Sequence, residues 1–225
     1  WLKEVPGKSR CFFDCPQHMN AVGLLHILNY LGAYPPGTAG VASSFYGVGP
    51  ASSIALGFND AMWAKYGLGE VLGLKDASGT PYTRNVFARL TKGEAHLLAG
   101  RMGIPSSIAM LGDAAPALSI PNLQKMGTKF LLCNNALGLW TLELEARGKG
   151  TAAALGADLR ANLLPGVTIV PAMVQAIEQA HAAGFSYNRQ YGVFSASAAV
   201  RRDSTYQTLL EIDREVRELA QGKRP

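Results

Sequence analysis

A single mid-chain cysteine stands where a predicted strand meets a predicted helix. Residues 130–133 form a short apolar run, Gly127 precedes it, and a polar Asn pair separates it from a helical pattern that starts at residue 137. Such a run is typical of a buried strand in a parallel sheet. A helix N-terminus there favours a thiolate, because its free N–H groups stabilise negative charge. Cys133 is therefore the candidate catalytic residue, and the alternative is a cysteine that serves only as a small buried apolar residue.

A glycine-rich stretch, residues 47–53, follows another predicted strand at residues 41–48. Glycines permit close backbone approach at such a junction, and helix N–H groups can hold an anion. The stretch lacks the third glycine of a dinucleotide-binding fingerprint and the Gly-Lys-Ser/Thr of a Walker loop. A plain strand-to-helix turn is the favoured interpretation. An anion or nucleotide site that uses Gly47, Gly49 and Ser52 is the alternative.

Two further cysteines lie near the start of the chain, at Cys11 and Cys15, with His18 close behind. Their spacing is neither that of a standard zinc site nor that of a haem-attachment sequence. We expect a local disulfide or two free thiols here, without metal. No cofactor is predicted anywhere in the chain.

Composition narrows the classes of protein that need to be considered. The chain has 225 residues, 48% of them hydrophobic and 16% charged, with a net charge of +5, which is typical of a globular protein. No basic stripe with interleaved aromatic residues occurs, which argues against nucleic-acid binding. No apolar run approaches the length of about 20 residues that spans a bilayer. The chain starts at Trp1, and we expect that an export signal has been removed before it.

Apolar runs alternate with helical patterns along the chain, which predicts a three-layer α/β/α fold with a mainly parallel sheet of about five strands. The predicted helices include one from residue 16 to about 34, with Asp14 as its N-cap, and others after residues 58, 133, 151 and 171. Residues 1–15 are predicted to be irregular. The predicted strands lie at 41–48, 129–133, 167–170 and 185–187.

These elements divide the chain into three parts. Residues 1–38 are predicted to be an N-terminal segment and a helix that packs on the core, and residues 39–188 are predicted to be the α/β core. Residues 189–225 are predicted to be an extension with one amphipathic helix at 205–221, since its apolar residues recur at helical spacing. We expect this helix to pack on its own domain or on a partner chain.

Three blocks of sequence resemble the second half of the DsrE/DsrF-like family. They are a strand that ends in cysteine (Lys-Phe-Leu-Leu-Cys, 129–133), a Leu-Pro-Gly-Val turn and strand (163–171), and a Gly-aromatic strand (183–187). Residues 58–66 resemble an extracytoplasmic, uncharacterised branch of that family. The resemblance implies the family's α/β fold, assembly into a homo-oligomer, and a persulfide carried on Cys133. In that role Asn134 and Asn135 could supply donors to the sulfur.

The leading hypothesis is thus a DsrE-like protein of the cell envelope that handles sulfur through Cys133, with a sulfur-relay protein as its partner. The second hypothesis is a non-catalytic binding or assembly protein in which Cys133 only packs. The third is the anion or nucleotide binder at residues 47–53. Export implies a periplasmic location, and without export the protein is cytoplasmic.

Overall fold

The structure is a computed structural model that describes residues 1–105, 107 and 109–190. The described strands form one five-stranded sheet in the order β4-β3-β2-β1-β5, and all four pairings are parallel. The predicted fold class is therefore confirmed, as are the four predicted strands, with ends that differ by a few residues. The strands are β1 (Ser9–Asp14), β2 (Ala39–Phe45), β3 (Thr128–Cys133), β4 (Thr168–Val170) and β5 (Ser186–Arg189).

The other regular elements of the described structure are helices, joined by turns and loops. Short 3-10 helices lie at Leu2–Glu4, Met19–Ala21, Ile54–Gly57, Val86–Ala88, Lys92–Glu94 and Ala115–Leu118. The α-helices are α1 (Val22–Gly32), α2 (Asp60–Tyr66), α3 (Leu68–Val71), α4 (Ala95–Met102), α5 (Ala109–Ala114), α6 (Ile120–Lys125), α7 (Asn134–Ala146), α8 (Ala152–Ala161) and α9 (Met173–Ala182).

Helices cover both faces of the sheet. On one face, the ring of Phe13 in β1 packs edge-on against Tyr30 of α1, with 5.5 Å between ring centroids. On the other face, Tyr187 of β5 packs against His181 of α9, also at 5.5 Å. Successive residues of a strand point to opposite faces, so odd-numbered β1 residues face α1, and Asp14 faces α9.

Two aromatic stacks lie in the core, one between the central strands and one on the helix that follows Cys133. Phe45 of β2 and Phe130 of β3 stack with centroids 4.9 Å apart, and Trp140 of α7 stacks on Phe58 at 5.8 Å. All four side chains are almost completely buried. Such pairs add about 0.5–1.5 kcal/mol each beyond the area that they bury. The first pair joins β2 to β3, and the second joins the middle of α7 to the segment that follows β2.

The first strand, β1, was not predicted, and the irregular segment expected at residues 1–15 is wrong for residues 9–14. This strand lies inside the sheet, where it pairs with both β2 and β5, so the α/β core begins well before residue 39. Cys11, Phe12 and Phe13 are buried on both faces, as in other interior strands. Because Arg10 and Asp14 are charged, the apolar run of this strand is only three residues long, which is too short to predict a buried strand.

The chain then reaches α1 through an unusual turn rather than through a capped first helix. Asp14 is the last residue of β1, not an N-cap, and α1 begins only at Val22. Between them, Met19, Asn20 and Ala21 all have positive φ angles, of 45°, 48° and 72°. The left-handed conformation costs about 1–2 kcal/mol per non-glycine residue. Met19 and Ala21 are buried, so packing holds the strained turn in place.

The long connection between β2 and β3 is more divided than predicted. Two short helices were expected in residues 86–126, whereas the structure has α4, α5 and α6 as well as three 3-10 helices. The predicted break at Gly103 is confirmed, since this residue caps α4 with φ +67°. The predicted break between α7 and α8 at residues 148–150 is confirmed as well. The amphipathic helix predicted at 205–221 lies outside the described residues and stays a prediction.

Candidate functional site

The sulfur of Cys133 lies where two helices begin. Cys133 is the last residue of β3 and the N-cap of α7, and its Sγ accepts the N–H of Ala136 over 3.4 Å. It also accepts the N–H of Met173, the first residue of α9, over 3.3 Å. The free N–H groups at a helix start carry partial positive charge. Two such donors, from two separate helices, form a small cradle for negative charge on this sulfur.

The thiol is also buried, at 5% exposure, which is close to the 4% of Cys11 and the 6% of Cys15. All three cysteines are free thiols. A persulfide carrier needs both stabilisation of the sulfur anion and access for a reaction partner. The structure supplies two N–H donors to the sulfur, whereas access to Sγ requires movement of the side chains around it.

The described hydrogen bonds of the predicted donors Asn134 and Asn135 go to groups other than the sulfur. Asn134 Oδ1 accepts two hydrogen bonds from the guanidinium of Arg160 in α8, at 3.2 and 2.9 Å. The N–H of Asn135 donates to the carbonyl of Pro171, and its side chain is exposed. The two residues flank the cradle and fix the start of α7 against neighbouring segments. The hydrogen bonds described at the sulfur come instead from Ala136, whose N–H reaches back in the first turn of α7, and from Met173.

The backbone N–H groups of Gly49 and Ser52, in the glycine-rich loop after β2, are used within the protein, whereas the buried Ser52 Oγ has no hydrogen-bond partner among the described residues. Gly47 has φ +96°, and a Cβ there would lie 2.7 Å from the carbonyl oxygen of Pro16. The N–H of Gly49 donates to Glu143 Oε2 over 2.7 Å. Ser52 is buried and donates its N–H to the carbonyl of Gly49. A four-residue 3-10 helix follows in place of an α-helix. These contacts favour the plain-turn interpretation, because the side chain of Glu143 already occupies the donor at Gly49.

A buried carboxylate, which the sequence reasoning missed, lies at the same edge of the sheet. Asp14 ends β1, between β2 and β5, which is the point where the strand order reverses and where ligands of open α/β sheets bind. Its Oδ1 accepts the hydroxyl of Ser44 over 3.2 Å, and its Oδ2 accepts the hydroxyl of Tyr187 over 2.6 Å. Burial and the Asp14 carboxylate raise the pKa of Tyr187 to about 12 and also raise the pKa of Tyr46.

Strand register places this carboxylate on the same sheet face as Cys133. Ser44 lies opposite Leu131, and Leu131 and Cys133 point to the same face because they are two residues apart. Asp14, Ser44 and Cys133 therefore lie at the carboxyl edge on the α9 face. The sequence signal for Asp14 is an acidic residue directly after an aromatic pair (Phe-Phe-Asp). This signal indicates a site at the end of a strand only if residues 9–14 are first recognised as a strand.

The cysteines near the N-terminus do not converge with His18. Cys15 Sγ accepts the hydroxyl of Ser43 over 3.6 Å, and burial raises the pKa of this thiol to about 12. Burial also raises the pKa of Cys11. His18 Nδ1 accepts the N–H of Asn20, and its Nε2 contacts the carbonyl of Pro50. Across the described part of the chain, no group of three or more His, Cys, Asp and Glu side chains could hold a metal ion.

Comparison with known proteins adds little to this geometry. No protein-family model matches the sequence, and no curated protein matches it. Among solved structures the chain is similar to a protein of unknown function, MTH1491, from Methanobacterium thermoautotrophicum, with 15% sequence identity and a TM-score of 0.36. The similarity covers 81% of this chain and 100% of that chain. Similarity at this level carries no argument about function.

Proposed function

We propose that this protein is a DsrE-like sulfur carrier that holds a persulfide on Cys133. The observation that supports the proposal is the pair of N–H groups, from the starts of α7 and α9, that point at this sulfur. In the proposed reaction the Cys133 thiolate attacks the outer sulfur of a donor persulfide. A new S–S bond forms at Cys133, and the donor leaves as a thiolate, so no external oxidant is needed.

Exposed apolar residues support a protein partner for the next transfer. Val174 directly follows the donor Met173 and is 78% exposed, and Leu139 and Leu142 on α7 are 60% and 55% exposed. The first turns of both helices lie beside the Cys133 sulfur, so a partner that covers Val174 would dock near it. We propose that this surface meets either a second copy of the chain, in a homo-oligomer, or a sulfur-relay protein.

A cell-envelope location is part of the same proposal and rests on the sequence resemblance. Among the residues described, no helix is both long and apolar enough to cross a bilayer.

A non-catalytic binding or assembly protein is the alternative, and the burial of Cys133 favours it. In that case the two N–H groups only anchor the starts of α7 and α9, and the sulfur is a packing group. The anion-binding alternative at residues 47–53 has less support, because Glu143 already takes the N–H of Gly49.

Alkylation of the folded protein separates a reactive Cys133 from a packed one. Iodoacetamide would be added at neutral pH, and the modification of each cysteine would be followed by peptide mass spectrometry. Cys11 and Cys15 serve as internal controls, because all three thiols are equally buried but only Cys133 Sγ accepts two backbone N–H groups among the described contacts. We expect Cys133 to react first and to gain one sulfur atom from a low-molecular-weight persulfide. If all three react together, and only after unfolding, the carrier proposal fails.

A further inference from the structure

A positive charge lies beside the candidate sulfur site. Arg160, near the end of α8, donates two hydrogen bonds to Oδ1 of Asn134, from Nε over 3.2 Å and from Nη2 over 2.9 Å. Asn134 directly follows Cys133 along the chain, and consecutive Cα atoms lie about 3.8 Å apart. The guanidinium of Arg160 is therefore bound to the residue next to the cysteine, at the carboxyl edge of the sheet.

The pairing of α7 with α8 brings this arginine to the site. The N–H of Ala152, at the start of α8, donates to Glu145 Oε1 near the end of α7, whereas Arg160 binds Asn134 at the start of α7. The two helices are therefore antiparallel, and the chain returns to the level of Cys133 where α8 ends. No local pattern around the cysteine indicates a basic residue here, because 26 residues separate Asn134 from Arg160.

The charge of Arg160 is accessible to a ligand. The residue is exposed, and the partner described for its guanidinium is the neutral amide of Asn134. Among the described residues no carboxylate forms an ion pair with it, in contrast to Arg84 and Arg147. A guanidinium has five N–H donors, and the two bonds to Asn134 leave the others for a second partner.

Other groups at this edge of the sheet also favour a negatively charged ligand. The starts of α7 and α9 both lie at the sulfur, where the N–H groups of Ala136 and Met173 donate to it. The first N–H groups of each helix have no partner within that helix, and the helix dipole is positive there. The exposed side chain of Asn135 adds an amide to the same first turn of α7.

We propose that Arg160 selects the sulfur donor of Cys133, and that this donor is a small persulfide that carries a carboxylate. The inference rests on the sulfur-carrier function proposed above. The carboxylate pairs with the guanidinium, because the N–H donors of a guanidinium match its two oxygens. The S–S bond of the donor then breaks as a new S–S bond forms at the Cys133 thiolate. The donor leaves as a thiolate that still carries its carboxylate.

Sulfur transfer from two donors of equal length tests the role of the charge. The donors are the persulfides of 3-mercaptopropionate, an anion, and of 3-mercaptopropionamide, whose amide is neutral. Each is mixed with the full chain at pH 7, and the initial rate of sulfur uptake at Cys133 is followed by peptide mass spectrometry. The readout is the ratio of the two rates, anionic over neutral, because a change in access to the buried sulfur alters both rates alike. We expect this ratio to fall as salt is raised, because the screening length shortens from about 30 Å at 0.01 M to about 3 Å at 1 M.

Three variants assign the preference to Arg160. Arg160→Gln should lower the rate ratio by roughly threefold or more, since it removes a unit charge close to the bound anion. Arg160→Lys keeps the charge without the paired hydrogen bonds and should keep part of the preference. Lys8→Gln makes the same change in charge at an exposed residue before β1, at the opposite edge of the sheet, and should leave the ratio unchanged.

The outcomes separate this inference from the function on which it rests. If neither donor transfers sulfur to the folded wild-type protein, the sulfur-carrier function fails, and the inference fails with it. If both donors transfer sulfur but the rate ratio of Arg160→Gln equals that of the wild type or of Lys8→Gln, only the role of Arg160 is overturned. The same holds if Arg160→Lys lowers the ratio as far as Arg160→Gln does, because the charge then has no effect.

Discussion

Replacing Cys133 by alanine should destabilise the protein more than the same replacement at Cys11. Both side chains are buried to the same degree, so the loss of apolar contact, roughly 1 kcal/mol, is similar in the two variants. Only Cys133→Ala also leaves the N–H groups of Ala136 and Met173 without their acceptor. An orphaned buried donor costs about 1–3 kcal/mol. Because sulfur is a weak acceptor, we take the lower end and expect a difference of about 2 kcal/mol between the variants.

Urea unfolding at pH 7 measures this difference directly. The free energies of unfolding of the wild type and both variants are compared at equal m-values, so that the exposed surface on unfolding is the same. Cys133→Ser keeps an oxygen acceptor at the site and should recover part of the loss. If Cys133→Ala and Cys11→Ala lose the same stability, the two N–H groups do not interact with the sulfur, and the main support for the sulfur-carrier proposal disappears.

Other perturbations test further parts of the structure. Gly69→Ala should strongly lower the thermal stability, because the added Cβ would lie 2.1 Å from the carbonyl oxygen of Tyr82. The matched control is Gly138→Ala in α7, where the added Cβ meets no other atom within 4 Å. This control should raise the free energy of unfolding by up to about 1 kcal/mol. Burial lowers the pKa of His18 from 6.5 to about 4, so the folded state favours the neutral imidazole. The free energy of unfolding should therefore fall as the pH drops from about 6.5 to 4. NMR titration of the His18 ring protons and unfolding curves at several pH values measure the two effects. Tyr187→Phe removes a donor to the buried carboxylate of β1 and should lower the unfolding free energy by about 1–3 kcal/mol.

The sequence was sufficient for the elements whose apolar pattern is continuous. The strand at residues 130–133 and the one at 167–170 have few polar interruptions, and the glycines near residue 148 mark a helix break by their backbone freedom. The parallel arrangement followed because every predicted connection contained helix. β1 was missed because its central three apolar residues lie between charged ones, and its burial comes from pairing on both sides.

The candidate site was predictable only in part, for the same reason. The position of Cys133 followed from the boundary between strand and helix. Its second donor, Met173, comes from a helix 40 residues later, and no local pattern indicates that their starts meet. The hydrogen bonds of Asp14 with Ser44 and Tyr187 depend on β1 being an interior strand. They could not be predicted before the order of the strands was known.

The central position of β1 has a consequence for how the chain is made. One edge of β1 pairs with β2, which follows within thirty residues, but the other edge pairs with β5, where residue 11 meets residue 186. During synthesis the strand leaves the ribosome early and must wait for almost all of the described chain before its second neighbour exists. An unpaired apolar strand edge is a template for wrong association. We expect nascent chains that stop before residue 186 to need a chaperone, and the four polar, exposed residues of β5 to end that need when they close the sheet.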